Sequence, residues 1–330
     1  MSNSLFLIKV FEENDNFYPD KPVYLDRNEG RNRVLLILFI LLIVFASSSY
    51  ELSAYIILAE ALGVLLLHEL GHFVMQRILK QNVQGMFLIS FIGNYTKSLK
   101  NNQSLKAFTA ITLMGPLPGI VIGLVLFFIA LNSSPNQYLV EISLLFISIN
   151  VLNLLPIDPF DGGKILNVFF FNKNDHHKMF FVLVSSIILI IVGFFFSYLP
   201  IVIFGLLMAI KVRSLQKSYE MHLVLDEEEI DYHKDYNSLS NGEYWKIRQV
   251  LLDKNPKLKE MIPGGFTVWE NENLLMDRIK QILRIPMVHD VSFAGKLMVA
   301  GFILTAIILP IYVILFNGVL LESYFNLVNV

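Results

Sequence analysis

The stretch that decides the fold is Ala59-Glu-Ala-Leu-Gly-Val-Leu-Leu-Leu-His-Glu-Leu-Gly-His-Phe-Val-Met-Gln-Arg-Ile-Leu-Lys80, an apolar run carrying two histidines and a glutamate in its middle. His68 and His72 are four residues apart and therefore share one face of a helix, with Glu69 beside them. Two imidazoles at this spacing can hold one zinc ion, and a neighbouring carboxylate can take a proton from a water at the metal. Lys80 marks the polar end of the run, which places His72 about 12 Å along the helix from it. Ionisable groups at that depth in an apolar segment are costly, and a functional role is the default reading. The competing reading is a set of hydrogen bonds between helices, which requires two histidines and a glutamate to fall at metal spacing by accident.

Outward from this helix, the composition has the same sense. The 330 residues are 55% hydrophobic and 16% charged, with a mean hydropathy of +0.57, against roughly 25% charged in a soluble domain. At about 20 apolar residues per crossing, spans are expected near 34–49, 54–79, 107–131, 138–155, 179–198, 200–212 and 295–318, the sixth being short. With no cysteine, disulfides, thiolate metal sites and cysteine nucleophiles are excluded. A net charge of −2 offers no basic surface for nucleic acid. The acidic, polar start MSNSLFLIKVFEENDNFYPD lacks the pattern of a cleaved presequence.

The connections at 50–53, 132–137 and 197–200 and the tail 319–330 contain no lysine or arginine, so all 26 basic residues fall on one side. By the positive-inside rule this side is the cytosol, with the N-terminus inside. The expected organisation is a cytosolic tail over 1–32 and a membrane-embedded domain over 33–212. A small, mainly helical cytosolic domain over 213–294 and a last membrane helix with a short tail over 295–330 complete it. The acidic run Asp226 to Asp235 reads as a solvated face. Residues 83–99 carry glycines at 85 and 93 in a pattern that fits either a membrane-dipping hairpin, to whose edge an extended substrate adds, or a plain interfacial loop. His176 and His177 read as a solvated pair, and the phenylalanines at 168–171 and 194–196 as lipid-facing bulk.

A catalytic zinc takes three protein ligands and leaves one position open, so a third ligand has to come from elsewhere in the chain. The best candidate is Asp161 in Ser-Ile-Asn-Val-Leu-Asn-Leu-Leu-Pro-Ile-Asp-Pro-Phe-Asp-Gly-Gly-Lys-Ile, where Pro156 and Pro159 break the helix and Gly162 and Gly163 permit a sharp turn. Read alone, Pro-Phe-Asp-Gly serves equally well as an ordinary cytosolic turn.

Taken together, HELGH at 68–72 and NLLPIDPFDGG at 153–163 resemble the site-2 protease family of intramembrane zinc metalloproteases. Asn153, Pro156, Asp161 and Gly162 fall at the spacings of that family's second motif, and Gly115-Pro-Leu-Pro-Gly119 fits its glycine element on the intervening span. The resemblance covers about 54–170. It implies an all-α polytopic membrane protein with six to seven transmembrane helices and a three-helix zinc-protease core. It further implies one Zn²⁺ per chain on His68, His72 and Asp161, Glu69 as general base, and Asn153 supporting substrate or oxyanion. The implied partners are the lipid bilayer and a membrane-spanning protein or peptide substrate, in a multi-pass protein of the bacterial cytoplasmic membrane. No extracytoplasmic domain fits in the short outer connections, so substrate choice rests on the spans, the 82–105 segment or the cytosolic domain. Two other readings remain: a metalloprotease of the prenyl-protein-processing type, whose third ligand is a glutamate from a downstream helix, and a non-catalytic relative that binds membrane helices.

Overall fold

The computed structural model describes residues 17–24, 52–80, 104–133, 136–171, 174–262, 265–284 and 287–318. The expected first span at 34–49 and the hairpin at 83–99 lie outside them. The described residues are helical with no strand, so this is an all-α membrane protein. The chain divides into two compact units, one drawn from residues between 52 and 212 and from 288 onward, the other from 17–24 and residues between 213 and 287.

In the first unit, α1 (Leu52–Ile78), α2 (Leu105–Leu113), α3 (Pro116–Asn132) and α4 (Gln137–Leu154) pack together. The span expected at 107–131 is thus two helices, interrupted at Met114 and Gly115, where Pro116 and Pro118 cannot donate the amide hydrogen bonds that would continue α2. Ser104 caps α2 by accepting from the Ala107 amide. Helix α4 ends at Leu154 because Leu155, which precedes Pro156, is driven to an extended conformation (φ −58°, ψ 141°). A short helix α5 (Asp161–Leu166), a π-helical stretch over Asn167–Phe171, α6 (Asp175–Phe195) and α7 (Leu199–Glu227) follow. The last helix, α11 (Phe293–Phe316), packs on α3 and α4.

Among the described residues, four helical segments are long and apolar enough to cross a membrane, at Ile56–Ile78, Leu105–Asn132, Asp175–Phe195 and Phe293–Phe316, with a shorter apolar helix at Tyr138–Leu154. The stretch 200–212 is the start of the 29-residue α7, which runs on into polar sequence. Phe194, Phe195 and Phe196 are exposed on the protein surface, as bulk meant for lipid should be. Phe169 departs from that expectation. It is buried, because the π-helical stretch turns it inward and frees its carbonyl to accept from Lys296 Nζ of α11 at 2.7 Å.

The second unit closes around Tyr244, Trp245, Ile247, Leu251, Leu275 and Ile279, from α8 (Asn241–Asp253) and α10 (Glu272–Ile282), with α9 (Pro256–Met261) beside α8. Ser240 and Glu243 form a capping box at the start of α8. Arg248 and Glu272 make a buried ion pair at 2.7 Å, and Tyr244 donates to the same carboxylate. Burial and that carboxylate push the Tyr244 hydroxyl above the usual phenol range. Residues 17–24, expected as part of a tail, lie on this unit.

Candidate metal centre

Helix α1 presents Val64, His68 and His72 on one buried face, as residues four apart must be. His72 is fully buried and His68 is 3% exposed. Across from them stands Asp161, 2% exposed, at the first position of α5. The loop from Leu155 to Phe160 delivers it there and is pinned at Asp158. That residue's amide donates to Ser185 Oγ of α6 at 3.1 Å, and its carboxylate accepts from Lys211 Nζ of α7 at 2.5 Å. Gly162 allows α5 to start against the end of α4, since a Cβ there would lie 1.9 Å from the Leu154 carbonyl oxygen.

The three donor atoms form a triangle. His68 Nε2 and His72 Nε2 are each 3.1 Å from Asp161 Oδ2 and 3.1 Å from one another. The outer nitrogens show which atoms carry lone pairs. His72 Nδ1 is 2.8 Å from the Ile111 carbonyl oxygen, which can only accept, so Nδ1 holds the proton. His68 Nδ1 is 2.8 Å from Asn150 Oδ1, and that amide is oriented by its own Nδ2, which donates to the Phe146 carbonyl at 2.8 Å. In the neutral imidazoles, both Nε2 atoms therefore point unprotonated lone pairs at the carboxylate. Asp161 Oδ2 is buried and has no hydrogen-bond partner among the described residues, whereas Oδ1 accepts from Lys164 Nζ at 2.8 Å.

Three converging acceptors repel one another unless a cation lies between them, and this is the only His/Asp/Glu group among the described residues able to hold one. Ligands at about 2.0–2.1 Å around a tetrahedral zinc stand roughly 3.3 Å apart, close to the spacing seen here. The residues present therefore fit the ion. The outer hydrogen bonds from both imidazoles supply the usual second layer, which fixes tautomer and ring orientation.

Glu69, next to His68 on α1, has a buried Oε2 with no hydrogen-bond partner among the described residues, so its acceptor capacity is unspent. The glycine element at 115–119 is explained by the same rings. A Cβ on Gly115 would lie 2.3 Å from His72 Nε2 and Cε1, and one on Gly119 would lie 2.1 Å from Asn150 Nδ2. Pro156 ends α4, while Asn153 donates to Ile149 on its own helix at 2.9 Å. The asparagine whose side chain touches His68 is Asn150, one turn earlier. Sequence reasoning missed it, together with Lys164 and the Ile111 carbonyl. A buried amide in an apolar helix and a lysine three residues after Asp161 were the available signals.

A buried His-His-Asp triangle within a bundle of apolar helices defines an integral membrane protein with a metal-type site. No protein-family model matches the chain. Over 108 residues it is 33% identical to stage IV sporulation protein FB of Bacillus subtilis (strain 168), a match that takes in 32% of this chain and spans 38% of that protein's length. The site-2 protease from Methanocaldococcus jannaschii aligns with 58% of this chain and 94% of its own at a TM-score of 0.42 and 20% identity. The sporulation protein is a site-2 protease family member, and its similarity bears out the resemblance drawn from the motifs.

Proposed function

We propose that the chain is an intramembrane zinc endopeptidase that hydrolyses peptide bonds in or beside the membrane-spanning segments of its substrates. The observation that carries this reading is the triangle of His68, His72 and Asp161, with Glu69 next to His68 and its buried Oε2 without a hydrogen-bond partner among the described residues. The two imidazoles and Asp161 Oδ2 would hold the ion, which when bound supplies Lewis acidity. Glu69 accepts a proton from the attacking water and passes it to the leaving amine. The Ile111 carbonyl and Asn150 keep both imidazoles aimed at the ion, and Lys164 holds the second oxygen of Asp161 out of the triangle. Asn153 supports the substrate carbonyl. Because helical amides are already hydrogen-bonded, the substrate has to unwind locally, and helix-breaking residues near the cut are expected.

That Asp161 stands 3.1 Å from both imidazoles favours this reading over a prenyl-protein-processing type, whose third ligand is a helical glutamate. The intact Glu69 favours it over a non-catalytic relative, which has no need of a base. We assign residues 1–32 and 213–294 to the cytosolic side of a bacterial cytoplasmic membrane, following the one-sided lysines and arginines. The test is co-expression with candidate single-span proteins, comparing wild type with Glu69→Gln. Cleavage by wild type and accumulation of uncut, bound substrate with zinc-loaded Glu69→Gln are expected. Equal cleavage by the two would refute the role of Glu69.

A further inference from the structure

Glu60 stands on α1 before His68, with Val64 between them at one-turn spacing, on the side of the helix that buries Val64 and His68. Its Oε2 is buried and has no hydrogen-bond partner among the described residues. At about 1.5 Å per residue, Glu60 lies roughly 12 Å from His68, away from the Lys80 end. A carboxylate at such a depth is costly, and a partner for it is the default expectation.

This chain does not supply the counter-charge. Through the whole sequence, the expected spans contain only Arg77, Lys211 and Lys296 as lysines or arginines, all at the ends assigned to the cytosol. Each is engaged there: Arg77 lies over the Phe73 ring at 5.1 Å, Lys211 pairs with Asp158, and Lys296 donates to the Phe169 carbonyl. The outer connections and the tail contain none. A second carboxylate adds to the imbalance. Helices α1 and α4 are separated by the single crossing Leu105–Asn132 and so run the same way, and His68 meets Asn150 between them. Glu141, nine residues before Asn150, is therefore at about the level of Glu60. The outer half of the bundle thus holds two helical glutamates and no lysine or arginine.

A membrane-spanning substrate has its cut bond at the His68, His72 and Asp161 triangle, partway along α1, so the rest of its span has to continue past the level of Glu60. A lysine or arginine in that part of the substrate is itself costly in lipid, and pairing it with Glu60 offsets both penalties. We propose that Glu60 is a specificity residue that pairs with a basic side chain inside the substrate's membrane-spanning segment. The register follows from the 12 Å offset: about eight residues from the cut if the segment stays helical there, about three to four if it is extended. This inference rests on the endopeptidase reading above.

The test uses full-length, zinc-loaded Glu69→Gln protein in detergent, which holds substrate uncut, and fluorophore-labelled single-span peptides read by anisotropy. Each peptide is a leucine-alanine span with Gly-Pro at its centre and one lysine placed at successive positions to either side. The lysine peptide of the expected register should bind at least about tenfold more tightly than its methionine counterpart, as a charge-assisted hydrogen bond requires. Adding Glu60→Gln should remove that preference, and adding Glu60→Lys should transfer it to a peptide with glutamate at the same position. Absence of saturable binding, equal binding of lysine and methionine peptides at every register, or a preference that survives Glu60→Gln overturns the proposal. Should either variant fail to fold, the register scan on the Glu60-intact protein decides. Cutting of the same peptides by wild type is read separately. Cleavage without a lysine preference refutes the role of Glu60 alone, whereas a Glu60-dependent preference without cleavage refutes the endopeptidase reading alone.

Discussion

Gly115 has no side chain because the His72 imidazole occupies that space. In Gly115→Ala the new methyl would lie 2.3 Å from His72 Nε2 and Cε1 and 2.8 Å from Cδ2. Ordinary carbon contact begins near about 3.5 Å, so ring and helix must separate by roughly 1 Å. The ring has little freedom to yield, since Nδ1 is held by the Ile111 carbonyl and the side chain is fully buried. Overpacking of this kind costs about 1–3 kcal/mol of stability. Its effect on the metal is larger, because ligand distances are held to about 0.2 Å and a 1 Å displacement removes Nε2 from the set. Loss of a second-layer contact alone costs about 10–100-fold in affinity, so we expect Gly115→Ala to weaken zinc retention by more than about 100-fold. The assay is zinc content by mass spectrometry after dialysis against graded chelator, with thermal unfolding followed in parallel. Gly119→Ala provides the comparison: its methyl meets Asn150, one contact removed from the ion, and the loss should stay within about 10–100-fold. A folded Gly115→Ala protein with wild-type zinc retention would refute the argument.

Asp161→Ala should abolish zinc retention and cleavage together. If both survive while substitution of a downstream glutamate removes them, the other metalloprotease type is the right one. Lys164→Met frees Asp161 Oδ1 to swing into the triangle, and turnover should fall by about 10–100-fold while zinc content stays near one per chain, with Lys164→Arg restoring activity. Arg248→Met leaves the Glu272 carboxylate buried without its ion-pair partner and should cost about 3–5 kcal/mol. Both tryptophans of the chain, Trp245 and Trp269, lie in the second unit, so fluorescence on denaturation reports that loss directly. For topology, cysteines introduced singly at Ser134 and Asn326 should react with an impermeant thiol reagent on intact cells and one at Asn237 should not; protection at 326 with reaction at 134 would remove one crossing from the count.

How much of this was readable beforehand depends on how far apart the interacting residues lie in the chain. The facing of His68 and His72 is a consequence of helical periodicity alone, and long apolar runs declare a membrane helix without tertiary information. The breaks at Pro116 and after Leu154 are equally local, because proline acts on its own backbone and on its neighbour. Asp161 was legible as a turn residue and as a ligand; that its Oδ2 stands 3.1 Å from both imidazoles follows from the packing of α5 against α2 and α4, which no spacing states. Asn150 outranked Asn153 at His68 because helical phase directs one and not the other toward α1, a fact about the α1 to α4 crossing that no spacing states. The partnership of Lys21 with Tyr236, Asn237 and Leu239 spans more than two hundred residues, and the hydrogen bond from Lys296 to the Phe169 carbonyl spans 127. Periodicity and backbone chemistry act within a few residues and are written along the chain. Contacts across such separations are set by which surfaces can pack, and those exist only once the helices are assembled.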